Sequence, residues 1–217
     1  ERNGALLWID AADPDLLAGI DVEKIATHQK VSGAALVNYR KAVMNDDIAW
    51  SIIAVPSAKW AAKVFPHLPE QEQVDALWDA IFKTVRIGEG DAVEAWQEHV
   101  ANLEKRAAQL NAKRYKALHY KAPGTDLTIE LPEKHIWLTG GSKTPQGTTF
   151  IANMPTEEVY TMPAKYGVDG TVSNTKPLVY KGNLIDQFTL TFENGKIVKA
   201  HAQVGNDLLQ QLITTDE

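Results

Sequence analysis

Apolar residues in the first half of the chain fall into two alternating patterns. Ala5-Leu6-Leu7-Trp8-Ile9 is a short continuous run, and residues 48–55 form another, stopped by Pro56. Runs of this length, bounded by turn residues, read as buried strands. Between them Asp21 is a candidate N-cap, and Ile25, His28, Ala35, Leu36, Tyr39 and Val43 recur at roughly helical spacing. Strand, helix, strand is a βαβ unit, which makes the two strands parallel. Ser57 is placed to cap a short helix carrying Trp60, Ala61, Val64 and Phe65, ended by Pro66 and Pro69. Val74, Leu77, Trp78, Ile81, Phe82 and Val85 then predict an amphipathic helix closed by Gly88. Asp91 and Glu94 make a capping-box-like start to the next helix. Its stripe of Val93, Trp96, Val100, Leu103, Ala107 and Leu110 alternates by threes and fours. At about three heptads, such a stripe suits a core-facing helix better than a coiled-coil seam.

After Tyr115 the period changes to two. Leu127, Ile129 and Leu131 alternate with Thr128 and Glu130, and residues 135–139 and 148–152 read as further strands. Glu193-Asn194-Gly195 stands between the alternating runs 188–192 and 196–200. Asn-Gly in that setting is a strong hairpin signal, because both residues tolerate positive φ. Residues 207–213 begin a helical pattern. The predicted fold is α/β: a parallel sheet with covering helices in residues 1–116, then a mostly antiparallel, β-rich region in residues 117–217. A chain of 217 residues is ample for a core in either part.

Composition narrows the function classes. The net charge of −6 argues against a nucleic-acid partner, whose phosphates demand a basic face. The absence of cysteine removes disulfides, thiolate nucleophiles and Cys-ligated zinc, and leans towards the cytoplasm. No stretch approaches the ~20 apolar residues of a membrane span, so no membrane partner is expected. Glu1-Arg2-Asn3-Gly4 runs straight into an apolar strand without an initiator Met, and the chain stops at Asp216-Glu217 without a C-cap. Both ends are expected to lie inside a longer protein.

Several familiar chemistries find no support. Gly140-Gly141-Ser142-Lys143-Thr144 lacks the spacing of a phosphate loop, and Pro145 follows it, so a hairpin loop is the better reading. The histidines, His28, His67, His99, His119, His135 and His201, include no i, i+4 zinc pair and read as surface or hydrogen-bonded residues. There is no G-x-S-x-G elbow and no dinucleotide fingerprint after the first strand. The remaining candidate is residues 153–163. Pro155 removes a backbone donor after the strand 148–152, and Pro163 closes the segment. Glu157 and Glu158 thus sit side by side in a stiff loop at the end of a strand, a place to present a metal ligand or a general base. Adjacent glutamates are more often simply solvated.

Around this loop the chain resembles the thermophilic metalloaminopeptidases. The residues concerned are Thr149-Phe150-Ile151-Ala152-Asn153-Met154-Pro155-Thr156-Glu157-Glu158-Val159, with Pro163, Gly170, Thr171 and Lys176-Pro177-Leu178. Ile185-Asp186-Gln187-Phe188-Thr189-Leu190 and Glu193-Asn194-Gly195 continue it, and Leu7-Trp8-Ile9-Asp10 and Trp50-Ser51 fit less specifically. The resemblance implies an enzyme that removes N-terminal residues from peptides with two divalent ions, typically ~3.5–4 Å apart, that lower the pKa of a bound water and polarise the scissile carbonyl. Zinc, cobalt or manganese would suit oxygen and histidine ligands. The resemblance further implies that one metal ligand lies in this chain, that it is Glu158, and that a second Glu, two His and an Asp lie beyond Glu217. Glu157 is then a general base, a neighbour of the ligands, or a surface residue. The isolated chain is expected to be inactive, and the whole protein a homodimer. The alternative is a non-catalytic α/β binding or assembly module of the same fold.

Overall fold

The computed structural model describes residues 4–11, 13, 16, 17, 19–88, 90–180 and 183–214. The expectations placed on Glu1-Arg2-Asn3 and on Thr215-Asp216-Glu217 lie outside the described residues. Along the chain come β1 (Ala5–Asp10), α1 (Val22–Ala35), α2 (Val37–Met44), β2 (Ala49–Ala54), α3 (Ala58–Val64), α4 (Glu70–Thr84) and α5 (Ala92–Lys113). There follow β3 (Ala117–Ala122), β4 (Thr125–Glu130), β5 (Leu138–Thr139), β6 (Gly141–Lys143), β7 (Thr149–Ile151) and β8 (Val159–Tyr160). The last elements are β9 (Val168–Ser173), β10 (Leu178–Tyr180), β11 (Asn183–Glu193), β12 (Lys196–Val204) and α6 (Asn206–Ile213). The fold is α/β, with a small parallel sheet and helices in one unit and a six-stranded antiparallel sheet in the other.

The first unit holds β1, Gly19–Ala107 and Leu138–Val159. β1 pairs with β2 in parallel, from Ala5↔Ala49 to Asp10↔Ala54, as the βαβ pattern requires. The other edge of β2 takes up the chain after β7. Ile52 N–H donates to Ala152 O (2.8 Å), and Met154 N–H donates to Ile52 O (3.0 Å). This pairing brings Leu138–Val159 back to the first unit, so one cut near Lys116 does not describe the division.

The burial expected of the β1 run holds on one face and not on the other. Trp8 packs edge-on against Tyr39 of α2 and Trp50 of β2, at 6.2 and 5.4 Å between ring centroids. Leu7 and Ile9, on the opposite face, are 59% and 61% exposed. The helix expected from Asp21 is two helices, because the backbone leaves helical geometry at Leu36, the N-cap of α2.

Local capping follows the sequence closely. Ser57 Oγ accepts from Trp60 N–H (3.1 Å) at the start of α3. Asp91 Oδ1 accepts from the N–H groups of Val93 (2.7 Å) and Glu94 (3.2 Å) at the start of α5. Trp96, Leu103 and Ala107 of the α5 stripe are buried, so it faces a core, although Val93 at its start is exposed. The end of α4 differs from expectation. Gly88 does not close it; Arg86 does, at φ +61°. Arg86 N–H donates to Lys83 O (3.3 Å) and Ile87 N–H to Phe82 O (2.8 Å), the paired bonds of a Schellman ending. A side chain in this left-handed position costs about 1 kcal/mol relative to glycine.

The second unit holds Ala108–Trp137 and residues 160–214. Its sheet runs β10-β11-β9-β4-β3 with β12 also on β11, and every pairing is antiparallel. The β11–β12 hairpin turns at Asn194 (φ +49°) and Gly195 (φ +77°), as Asn-Gly predicts. Ile185, Ala202 and Leu209 form the buried centre, where α6 packs against β11 and β12 with Phe188, Leu190 and Ile213 around it. The strand expected at 135–139 shrinks to Leu138–Thr139. Before it, the Asn111 side chain takes the place of a neighbouring strand: its Nδ2 donates to Trp137 O (3.0 Å) and its Oδ1 accepts from Trp137 N–H (2.8 Å). No helix among the described residues is long and apolar enough to cross a membrane.

Candidate functional site

The loop carrying Glu157 and Glu158 is built by the edge of β2. The β6–β7 hairpin turns between Thr144 and Thr148, so Gly141-Ser142-Lys143 is strand, and the predicted hairpin loop lies a few residues later. β7 then runs into the parallel bridge between Asn153 and Ile52. The Met154–Pro155 peptide is cis, and ladder pairing to β2 ends there. Thr156 follows, 5% exposed, with its side chain filling the space that a Cβ on Gly140 would take. Its buried Oγ1 has no hydrogen-bond partner among the described residues.

The next residue is anchored from α4 and α5. Arg86 Nη2 donates to Glu157 Oε1 at 2.7 Å and to His99 Nδ1 at 3.1 Å. The guanidinium lies 5.1 Å above the Trp96 ring, whose Nε1–H donates to Val85 O (2.8 Å). His99 Nε2 stands 2.7 Å from Thr156 O. Arginine can only donate and a carbonyl can only accept, so the contacts select one tautomer: lone pair on Nδ1, hydrogen on Nε2. The 3.5 Å approach of His99 Nε2 to Glu157 Oε2 is secondary to that bond. Arg86 keeps a quarter of its side-chain surface exposed and Glu157 nearly two thirds. Water therefore screens the pair, and as an isolated ion pair it contributes about 1 kcal/mol or less.

Glu158 is exposed, and its carboxylate has no hydrogen-bond or ion-pair partner among the described residues. The two adjacent carboxylates are thus unlike: one is held by Arg86, the other is free. A free carboxylate is a hard oxygen donor of the type dications take. Among the described residues no three His, Asp or Glu side chains gather into a group that could hold a metal ion. The donor set fits the contribution of one ligand and does not by itself make a metal centre.

Sequence reasoning reached Glu157 and Glu158 but missed Arg86 and His99. His99 was one of six histidines read as surface or hydrogen-bonded, and its ring proves to be mostly enclosed. One signal was available: His99 follows Trp96 at i+3, on the face of α5 that carries the apolar stripe. The first unit also holds an apolar groove of about 960 Å³, lined by Ile53 and Val55, Trp78 and Phe82 of α4, Val93 and Trp96 of α5, and Phe150 and Met154. Met154 brings the groove wall to within two residues of Thr156.

The family described as thermophilic metalloprotease (M29) matches residues 1–217. Aminopeptidase AmpS of Bacillus subtilis is 51% identical over the whole chain, which covers 53% of that protein. Aminopeptidase 2 of Geobacillus stearothermophilus is 48% identical over 217 residues, 52% of its length. The solved structure of wild-type AmpT from Thermus thermophilus superposes with a TM-score of 0.91 at 38% identity, covering 99% of this chain and 53% of that one. The chain spans about half the length of the relatives it matches.

Proposed function

Because the chain belongs to the thermophilic metalloprotease (M29) family, we propose that it is part of a metal-dependent aminopeptidase that removes N-terminal residues from peptides. The observation that carries this reading is the match along its whole length to proteins named as aminopeptidases, at up to 51% identity among those compared. In this reading Glu158 is the metal ligand that the chain supplies, and the remaining ligands belong to the half of the protein outside it. A two-metal centre of this kind would supply a water of lowered pKa and a polarised scissile carbonyl. Zinc, cobalt and manganese all suit such ligands. The free carboxylate of Glu158, beside the engaged one of Glu157, supports the choice between them. Homodimer formation in the whole protein is carried over from the family resemblance.

The test is an assay of the full-length protein on amino-acid p-nitroanilides. The proposal expects turnover that a chelator abolishes and that zinc, cobalt or manganese restores. A folded full-length protein that binds peptides but releases no p-nitroaniline under any metal would favour a non-catalytic binding module instead.

A further inference from the structure

We propose that Arg86 and His99 are positioning residues, a clamp that fixes the Thr156–Glu157 backbone and thereby decides which of the two adjacent carboxylates is offered to a metal. The proposal rests on the reading of Glu158 as a ligand. Arg86 engages the Glu157 carboxylate, while that of Glu158 has no hydrogen-bond or ion-pair partner among the described residues. Three contacts close the clamp: Arg86 to Glu157 Oε1 at 2.7 Å, Arg86 to His99 Nδ1 at 3.1 Å, and His99 Nε2 to Thr156 O at 2.7 Å. The His99 bond holds the main chain itself, so it acts on the direction of the loop and not only on one side chain. The Thr156 side chain is held from the other direction, against Gly140.

Arg86 offers a second, independent observation. It occupies a left-handed position at φ +61°, where glycine would close the helix without strain. Strained backbone at a non-glycine residue collects where the side chain is needed. Here the guanidinium meets Trp96, His99 and Glu157 at once. Trp96 is fixed in turn by its bond to Val85 O, so the ring under the guanidinium has one orientation.

The test uses the full-length protein with His99→Leu, His99→Gln and Arg86→Met, beside Glu158→Gln. Two readouts are needed: hydrogen exchange of the 156–159 amides in metal-free protein, and metal affinity by equilibrium dialysis with atomic spectroscopy. His99→Leu and Arg86→Met should speed exchange in that segment and weaken metal binding by about 10- to 100-fold, the usual effect of losing a group that orients a ligand. His99→Gln can still donate to Thr156 O, and it should recover most of both. A role in packing alone would not distinguish Gln from Leu. Unchanged local exchange and affinity in His99→Leu, or no recovery in His99→Gln, would overturn the clamp. Should His99→Leu fail to fold, Arg86→Met carries the comparison on the same readouts. Parental metal affinity in Glu158→Gln would instead overturn the ligand assignment, whatever the clamp variants do.

Discussion

Replacing Gly140 by alanine presses a methyl group into the residue that anchors the acidic loop. A Cβ at Gly140 would overlap Thr156 Oγ1 and Cγ2 and stand 2.8 Å from Thr156 Cβ. Comfortable carbon–carbon contact is roughly 3.5–4.0 Å, so something must yield by about 1 Å. Gly140 is not among the positive-φ glycines, so the cost is steric and not conformational. Thr156 is 5% exposed and β-branched, so it has neither open space nor a free rotamer to move into. Overpacking of this kind costs about 1–3 kcal/mol, and the stiff neighbour puts the expectation near 2 kcal/mol. The assay is chemical denaturation of the full-length protein, read as a lowered midpoint at unchanged slope. A double-mutant cycle with Thr156→Ala isolates the clash. The pair should be less destabilised than the sum of the singles, with a coupling of about 1 kcal/mol or more. Thr156 lies two residues before Glu158, so metal affinity should fall in Gly140→Ala and partly return in the pair. Full stability in Gly140→Ala, or strict additivity in the cycle, would refute the contact.

Two further outcomes test other parts of the fold. Gly195→Ala should destabilise by at least about 2 kcal/mol, since a Cβ there overlaps Lys165 O at φ +77°; an unchanged denaturation midpoint would contradict the described turn. The Asp126 carboxyl is held below the ordinary carboxylate range, first by its hydrogen bond with His119 and then by Lys121. Its folded pKa is depressed, so its contribution is present above the unfolded value and lost as pH falls through the folded one. His119→Ala should move the Asp126 titration upward in a carboxyl-carbon NMR titration; an unmoved curve would show that the 2.7 Å contact has no effect in solution.

What the sequence made legible was local or periodic. Ser57 and Asp91 announce helix starts because the capping bond closes within three residues. Asn194-Gly195 fixes a hairpin because two adjacent residues must carry positive φ. The parallel pairing of β1 with β2 follows from the connection between them. The burial expected of β1 failed on the face of Leu7 and Ile9 because an apolar run does not say how many faces are covered. The helix ending at Arg86 was misplaced because glycine at position 88 is the commoner choice, and a non-glycine left-handed residue leaves no mark in composition. The clamp was out of reach for a similar reason. Arg86 and Glu157 lie 71 positions apart, and His99 and Thr156 lie 57 apart. Each reads locally as an ordinary helix-end charge or an isolated histidine. The Pro-Thr-Glu-Glu loop, by contrast, is legible from its flanking prolines and paired carboxylates, its ligand role comes from the resemblance, and the contacts that distinguish Glu157 from Glu158 emerge only from the fold.

The central claim, that Glu158 is the ligand this chain gives to a metallopeptidase, is tested most directly by metal content. Full-length protein carrying Glu158→Gln and, separately, Glu157→Gln is purified, dialysed against zinc, cobalt or manganese, and analysed by atomic spectroscopy. The Gln replacement keeps the shape and removes the charge that a dication requires. Glu158→Gln is expected to lose metal and activity together. Glu157→Gln is expected to keep most of its metal, since Glu157 is paired with Arg86. Full metal occupancy in Glu158→Gln would contradict the account.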